Sequence, residues 1–282
     1  MKTVTVIIPT YNRENIIGRT LTSILDQDYR KVDILVVDDG STDATEQVIK
    51  SIAERNEDVD KRIRYVRQDN QGACVARNRG MQLAIGDYIM FLDSDDLIKR
   101  SKLSTQVKQI ETENSQCSIC DFERIDEAGR IIGYANNNRH PHDFIRNLVS
   151  PHISTVLMRR DSIPPNLQWN VKLKRNQDMD FIYKYFSSIG DWSYVNQALF
   201  QYCLHGGEQI SDSYSKGFQY RVLRESFKTY LENDKKFVST DPMQLYRSYR
   251  WALGKHQLKN ALIAFTPNHV KKFIKRYLHL FK

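Results

Sequence analysis

The chain has 282 residues, of which 40% are hydrophobic and 27% charged, a composition that indicates one large or two small globular domains and excludes disordered, collagen-like and coiled-coil chains. The longest apolar runs are about five residues, whereas a helix needs about 20 to cross a bilayer, so the sequence predicts no membrane span and, without a signal-peptide pattern, a cytoplasmic location. The net charge of +8 is uneven, because the nine cations that follow Asp241 are accompanied by no acid.

The first hundred residues alternate between strand and helix patterns. Apolar segments typical of buried strands lie at 4–8, 32–37, 63–66 and 88–92. Segments with helical spacing lie between them, at 16–25, 43–55 and 73–84. The second helix opens with a capping box that begins at Asp43. Apolar strands that alternate with helices predict an α/β fold, with a mostly parallel sheet covered by helices on both faces.

The remainder of the chain is mixed and then helical. The patterns predict helices after Lys102 and from about Asp178. They predict strands near 116–125, 153–159 and 192–204. No linker interrupts this part, and from 216 onward apolar residues recur at helical spacing. We therefore predict two halves of one domain, 1–98 and 99–215, followed by a C-terminal helical extension, 216–282.

Polar and acidic residues follow three of the predicted strands directly. These endings are Pro9-Thr-Tyr-Asn12, Asp38-Asp-Gly-Ser-Thr-Asp43 and Asp93-Ser-Asp-Asp96. Because parallel sheets bind ligands at the carboxyl ends of their strands, we expect all three at one edge. Carboxylates so close together repel one another, and a cation shared with a phosphorylated ligand relieves that repulsion. The sequence therefore predicts a site for both at this edge.

Together, the motifs resemble glycosyltransferase family 2, the inverting sugar-nucleotide transferases with the GT-A fold. The resemblance covers residues 1–211 and rests on Val6-Ile-Ile-Pro-Thr-Tyr-Asn12, Val36-Val-Asp-Asp-Gly-Ser-Thr-Asp43, Gly72 to Gly80 with Ala76-Arg-Asn78 inside it, Gly86-Asp-Tyr-Ile-Met-Phe-Leu-Asp-Ser-Asp-Asp96, Asn176-Gln-Asp-Met-Asp180 and Tyr202-Cys-Leu-His205. It implies a Rossmann-like sheet in which 1–98 binds the nucleotide sugar and 99–215 binds the acceptor. The implied reaction moves a sugar from a nucleotide donor, a UDP-sugar, to a hydroxyl of a lipid-linked or polysaccharide acceptor.

The resemblance also implies which residues bind the nucleotide. Tyr11 and the backbone at Pro9 match the pocket where the base stacks, and Asp39 matches the acid that accepts the uracil N–H. Arg77 matches the basic residue near the uridine and the phosphates, with Arg79 as an alternative. In addition, Asp93 matches the carboxylate near the ribose and a metal-bound water.

A divalent cation, Mn²⁺ or Mg²⁺, is the implied cofactor. Asp95 matches the carboxylate that holds it against the diphosphate. The cation would stabilise the negative charge that builds on the β-phosphate as UDP leaves. His205 matches a histidine that reaches the metal or the diphosphate in the family, although a lone histidine after a strand is more often structural.

The implied catalytic residue is Asp178, the general base that removes the proton of the acceptor hydroxyl. The family usually has Glu before this Asp, whereas this chain has Gln177. Asp180, two residues on, is the alternative base, although on a starting helix it points elsewhere.

The last segment, 267–282, predicts a basic amphipathic helix, because Thr266-Pro267 reads as an N-cap followed by Pro at the first helical position. Its apolar stripe is Val270, Phe273, Ile274, Tyr277, Leu278 and Phe281. Its cations, all off the stripe, are Lys271, Lys272, Lys275, Arg276 and Lys282. We expect it to bind an anionic membrane surface from the cytoplasmic side. The alternative is that the stripe packs on the body of the protein.

Two other classes of function compete with the enzyme. A nucleic-acid-binding protein would use the basic tail, but residues 1–241 are near neutral, no nucleic-acid motif is present, and the acidic clusters would repel phosphates. We therefore predict no nucleic-acid partner. A catalytically inactive module that only binds nucleotide or carbohydrate is the other alternative, and the complete acidic set at Asp39, Asp93, Asp95 and Asp178 argues against it.

Overall fold

The computed structural model describes residues 1–56, 61–137, 151–173 and 177–204, which all belong to one unit of the fold. The predicted metal ligand His205 and the predicted extension at 216–282 lie outside the described residues. Within the described ranges, none of the helices has the length and apolarity that a membrane span requires.

One nine-stranded sheet organises the described residues. Its strands are β1 (Val4–Thr10), β2 (Val32–Asp38), β3 (Lys61–Arg67), β4 (Tyr88–Phe91), β5 (Leu97–Ile98), β6 (Cys117–Ile125), β7 (Ile131–Ala135), β8 (Val156–Arg159) and β9 (Trp192–Cys203). Their order is β3-β2-β1-β4-β8-β6-β9-β5, with β7 paired to β6. The first four strands of this order are parallel, β6 and β9 are also parallel, and β8 is antiparallel to both of its neighbours.

Helices cover both faces of the sheet, as continuous apolar strands require. They are α1 (Ile17–Leu25), α2 (Thr45–Arg55), α3 (Ala73–Leu83), α4 (Lys102–Glu113) and α5 (Gln177–Ser188). Val6 and Ile8 of β1 share one core cluster with Leu21 of α1 and Leu103 of α4. On the other face, α3 packs against β1 and β2.

Helix α3 approaches the sheet closely because its contact residue is a glycine. A Cβ atom at Gly80 would lie 2.3 Å from the Ile7 Cγ2 atom of β1, closer than any carbon contact that packing tolerates. The backbone of α3 therefore lies directly on β1, and this contact sets the position of Arg77 on the same helix.

The fold class predicted from the sequence is confirmed, and three details differ. Residues 153–155, predicted as strand, form a 3-10 turn, and β8 begins only at Val156. The strands β5 and β7 were not predicted. The N-cap of α2 is Ala44 instead of Asp43, although the Asp43 Oδ1 atom accepts hydrogen bonds from the backbone N–H and the hydroxyl of Thr45.

Candidate active site

The carboxyl ends of β1, β2 and β4 meet at one edge of the sheet. Thr10 pairs with Asp38, and the backbone N–H of Asp39 donates to the Thr10 carbonyl at 2.8 Å. On the other side of β1, the backbone N–H of Leu92 donates to the Ile7 carbonyl at 3.0 Å. The segments that follow these three strands therefore leave the sheet at the same edge, as the sequence predicts.

Asp39 is buried, with 4% of the residue exposed, and is held by three hydrogen bonds. Its carboxylate accepts from the Gln68 side chain at 2.7 Å and from the backbone N–H groups of Gln71 at 2.9 Å and Gly72 at 2.7 Å. Gly72 has a φ of +93°, which favours glycine. Asp39 thus organises the loop that leads into α3, and one lone pair of its carboxylate is left for a ligand.

Asp38, next to it, is structural. Its fully buried carboxylate accepts from the Tyr65 hydroxyl at 2.6 Å and from the backbone N–H of Ser41 at 2.8 Å. Burial, followed by the hydrogen bond to Asp38, raises the pKa of Tyr65 well above its ordinary value.

Tyr11 lies at the open side of this edge, with 43% of the residue exposed. The turn behind it is fixed, because the backbone N–H of Asn12 donates to the Ser41 hydroxyl at 2.9 Å and the Asn12 side chain accepts from the backbone N–H of Thr42 at 2.8 Å. Pro9 itself lies within β1, buried and paired with Val37. An exposed aromatic ring on a rigid turn is suited to stacking on a flat ligand.

Arg77 links the segment after β4 to the start of α5. Its guanidinium donates to Asp93 Oδ1 at 2.8 Å and to Gln177 Oε1 at 3.1 Å. The guanidinium carbon also lies 4.5 Å from the centre of the Trp169 ring. Arg79, by contrast, donates to the backbone carbonyl of Arg67. The structure therefore brings Arg77, and not Arg79, together with the acidic cluster.

Asp93, Asp96 and His152 form a group whose potential metal-ligand atoms all lie within 4.8 Å of one another. The His152 Nε2 atom is 3.9 Å from Asp93 Oδ2 and 4.0 Å from Asp96 Oδ2. Asp96 is only 1% exposed; its Oδ1 atom accepts from the backbone N–H of Cys203, while Oδ2 has no hydrogen-bond partner among the described residues.

Negative charge predominates in and around this group. Burial raises the pKa of Asp96 well above its ordinary value, and the carboxylates of Asp93 and Asp95 add to this effect. Burial also acts to raise the pKa of Asp93, but the Arg77 guanidinium and His152 outweigh it and the pKa is lowered. A positive charge among these carboxylates would relieve their repulsion, and their oxygens suit a divalent cation.

Asp95 is not part of this group. Its Oδ2 atom lies 3.9 Å from the Arg13 guanidinium, and its backbone carbonyl accepts from Arg19 at 3.2 Å. The side chain is 30% exposed, so it remains accessible from the open side of the edge. The assignment of Asp95 as the metal ligand stays a prediction, as does that of His205.

Asp178 lies in the first turn of α5 and is half-buried. Burial raises the pKa of its carboxyl, Arg77 counteracts this, and Asp93 raises the pKa further, with a net shift upward. Asp180 is fully buried and accepts from the Lys184 ammonium group at 2.7 Å. The two carboxylates therefore differ in environment: Asp178 is within electrostatic reach of the acidic cluster, and Asp180 is paired within its own helix.

His152, Trp169 and the position of Asp96 in the cluster were not predicted from the sequence as parts of the site. His152 and Trp169 lie in irregular segments without a motif, so local patterns contain no signal for them. Asp96 was within a recognised motif, and its place shortly after the apolar run at 88–92 was the available signal in the sequence.

The model of "Glycosyl transferase family 2" matches residues 5–167, which is more than half of the chain. The chain belongs to glycosyl transferase family 2. The predicted family is thereby confirmed, and the matched residues include the whole edge described above up to His152.

Curated relatives of this family 2 chain are named as glycosyltransferases. An uncharacterized glycosyltransferase of Rickettsia felis is 41% identical over 143 residues, 49% of this chain and 23% of that protein. The "Putative teichuronic acid biosynthesis glycosyltransferase TuaG" of Bacillus subtilis is 30% identical over 207 residues, 71% of this chain and 79% of that protein. The chain spans only 19 to 23% of the length of three of the relatives it matches, all from Rickettsia.

Solved structures support the GT-A fold. The crystal structure of S. aureus TarS 1–349 in complex with UDP-GlcNAc has a TM-score of 0.73 and 24% identity, and the match covers 95% of this chain and 82% of that chain. The mannosyltransferase PcManGT from Pyrobaculum calidifontis, in complex with GDP-Man and Mn²⁺, has a TM-score of 0.56 and 18% identity, with coverage of 99% and 85%. At these identities the likeness shows the shared fold.

Proposed function

We propose that this family 2 chain transfers one sugar from a UDP-sugar to a hydroxyl of a lipid-linked or polysaccharide acceptor, with inversion at the anomeric carbon. The observation that carries the proposal is the convergence of Arg77, Asp93 and Asp178 at the sheet edge where Asp39 and Tyr11 also lie. TarS has been crystallised with UDP-GlcNAc, and a 40% identical E. coli relative is named "UDP-Glc:alpha-D-GlcNAc-diphosphoundecaprenol beta-1,3-glucosyltransferase WfaP". These names support a UDP donor and a lipid-linked acceptor.

In the proposed reaction, Asp178 accepts the proton of the acceptor hydroxyl. The acceptor oxygen then forms a bond to the anomeric carbon on the face opposite the nucleotide, while the bond from that carbon to the diphosphate oxygen breaks and its electron pair leaves with UDP. The raised pKa of Asp178 brings this base closer to the working pH, which favours general base catalysis. Arg77 and Asp39 hold the nucleotide half of the donor during the step.

The carboxylates after β4 fit a divalent cation. The buried Asp96 Oδ2 atom has no hydrogen-bond partner among the described residues, and the carboxylates of Asp93 and Asp95 lie near enough to raise the pKa of Asp96. A cation would relieve this repulsion, and carboxylate oxygens are the hard ligands that Mn²⁺ and Mg²⁺ prefer. We propose that Asp93 and Asp95 hold the cation, since both are partly exposed and a diphosphate can reach them. When bound, the cation would stabilise the negative charge that develops on the leaving diphosphate.

A donor screen tests the proposed function. The protein is incubated with Mn²⁺ and a panel of UDP-, GDP-, dTDP- and CMP-sugars, and release of the free nucleotide is measured. We expect hydrolysis of at least one UDP-sugar, because the proposed recognition set includes Asp39, a carboxylate that can accept the uracil N–H. Binding of a UDP-sugar without any turnover, with or without candidate acceptors, would favour the inactive module instead.

Stacking of the base on Tyr11 gives a prediction of its own. Tyr11→Ala should lower the affinity for UDP about tenfold, because stacking of a base on an aromatic ring contributes roughly 1–3 kcal/mol, whereas Tyr11→Phe should stay close to the unaltered protein. Calorimetry with UDP in Mn²⁺ measures both. The matched control is Tyr134→Ala, which removes another exposed tyrosine on β7 and should leave UDP binding unchanged. An equal loss in the Phe variant would contradict stacking.

The tail at 267–282, outside the described residues, is proposed to bind the anionic cytoplasmic face of a membrane, where a lipid-linked acceptor would be met. The sequence places five cations off a six-residue apolar stripe. Each cation contributes about 1 kcal/mol near an anionic leaflet, and the stripe adds partial burial. This favours reversible peripheral binding over packing of the stripe on the protein.

Truncation of the chain at Thr266 should abolish sedimentation with vesicles that contain anionic lipid, and salt should weaken the sedimentation of the full chain. A full-length control has Lys271, Lys272, Lys275 and Arg276 replaced by Gln. It distinguishes the contribution of the positive charges to vesicle binding from that of the apolar stripe. This variant should bind the vesicles much more weakly, and its remaining binding should depend less on salt. Equal pelleting of truncated and full-length proteins would rule the proposal out.

A further inference from the structure

The guanidinium of Arg77 is held on three sides. Asp93 and Gln177 accept its hydrogen bonds at 2.8 and 3.1 Å, and the third contact is the ring of Trp169, 4.5 Å from the guanidinium carbon. At this distance an arginine and an indole face attract each other electrostatically, and more strongly where water is excluded. Arg77 is buried, so all three contacts act in a dry environment.

Trp169 is itself locked in place. It is 1% exposed; its ring stacks on Phe181 of α5 at 4.5 Å with an interplanar angle of 12°, and meets Phe91 of β4 edge-on at 5.0 Å. The Asn78 side chain accepts from the Trp169 backbone N–H at 2.8 Å and donates to its carbonyl at 3.0 Å. Asn78 follows Arg77 directly in α3, so one turn of this helix fixes Trp169 and also supplies the cation that covers it.

We propose that Trp169 is a positioning residue for the donor, acting through Arg77. The inference rests on the proposed function. An arginine side chain has many rotamers, and binding a ligand through a free one costs conformational entropy. The Trp169 ring and the hydrogen bond to Asp93 together restrict the guanidinium, so the charges of Arg77 and Asp93 are fixed before the nucleotide arrives.

The Trp169 ring also connects the two halves of the site. Through Phe181 it packs on α5, the helix that begins with Gln177 and Asp178. The Gln177 amide accepts from Arg77 and donates to the Leu173 carbonyl at 2.9 Å. The start of the helix with the proposed base is thus held against the same arginine.

A double-mutant cycle on UDP affinity tests the inference. With Mn²⁺ present, Trp169→Leu should lower the affinity for UDP about tenfold by calorimetry, and Trp169→Phe, which keeps an aromatic face, about threefold. In an Arg77→Met background, both changes should lower the residual affinity by less than about twofold, because the residue through which Trp169 acts is gone. A tryptophan that only fills the core would lower the affinity equally in both backgrounds.

The control is Trp192→Phe, at the start of β9 where Trp192 pairs with Cys117 of β6, which should leave UDP affinity unchanged. Thermal unfolding verifies that each variant is folded. If Trp169→Leu does not fold, the UDP affinity of Trp169→Phe in both backgrounds tests the inference. Equal losses in the two backgrounds, or no loss in either Trp169 variant, would overturn the inference. Failure of the unaltered protein to bind UDP would instead contradict the proposed function, and this inference with it.

Discussion

Asp178→Asn is expected to reduce sugar transfer by about 10³-fold, while affinity for the UDP-sugar changes less than about twofold. A general base contributes roughly 10²–10⁴-fold to a rate, and Asn cannot accept the acceptor proton. Asp178 acts on the acceptor, so donor binding does not depend on it. Single-turnover transfer and calorimetry with the donor measure the two quantities separately.

The pH profile provides a second check on the same residue. Burial raises the pKa of Asp178 above its ordinary value, and only the ionised carboxylate accepts a proton. Transfer by the unaltered protein should therefore increase with pH through that pKa and then level off, whereas the residual rate of Asp178→Asn should lack this limb. Asp161→Asn, which removes an exposed carboxylate, is the matched control. If Asp178→Asn kept near-normal turnover and Asp180→Asn lost it, the base would be Asp180.

Removal of the cation is expected to have the second largest effect. UDP should bind at least about tenfold more tightly with Mn²⁺ or Mg²⁺ than with EDTA, because a divalent cation held by Asp93 and Asp95 would offset the repulsion between these carboxylates and the diphosphate. Asp95→Asn should remove this difference, so that the affinities with Mn²⁺ and with EDTA become equal. Calorimetry under both conditions measures the ratio without any need for turnover.

Two further variants identify the ligands. Asp93→Asn should also remove the difference, since Asp93 belongs both to the ligand pair proposed above and to the group with Asp96 and His152. Asp96→Asn should retain it, because Asn keeps an acceptor for the Cys203 N–H. If Asp96→Asn removed the dependence on Mn²⁺ and Asp95→Asn kept it, the ligand group would be Asp93, Asp96 and His152. The same UDP affinity with EDTA and with Mn²⁺ would contradict a metal site.

Much of the candidate site could be predicted from the sequence, because several of its residues directly follow the parallel strands. Apolar runs such as Val4–Thr10 and Val32–Asp38 are buried on both faces, so their composition alone identifies them as central strands of a parallel sheet. Once these strands are parallel, the residues after them must share an edge. The places of Tyr11, Asp39 and Asp93 then follow from chain order, without knowledge of any contact.

Elements without a strong periodicity were missed. β5 is two residues long, and β7 has three exposed apolar residues, Ile131, Ile132 and Tyr134. Neither segment shows the alternation or the apolar run that marks a strand. Their strand conformation comes from hydrogen bonding to β9 and β6, partners that a local window of sequence does not contain.

The sequence by itself determined the family, the parallel half of the sheet and the carboxylates at its edge, because these depend on residues that are close together in the chain. Only the tertiary structure decided how Arg77 is held and which groups face Asp96. Asn78 and Trp169 are 91 residues apart, and His152 approaches Asp93 and Asp96 from a segment with no motif. Such contacts form where the chain folds back on itself, and their energy depends on burial and orientation, which no local pattern of residues encodes.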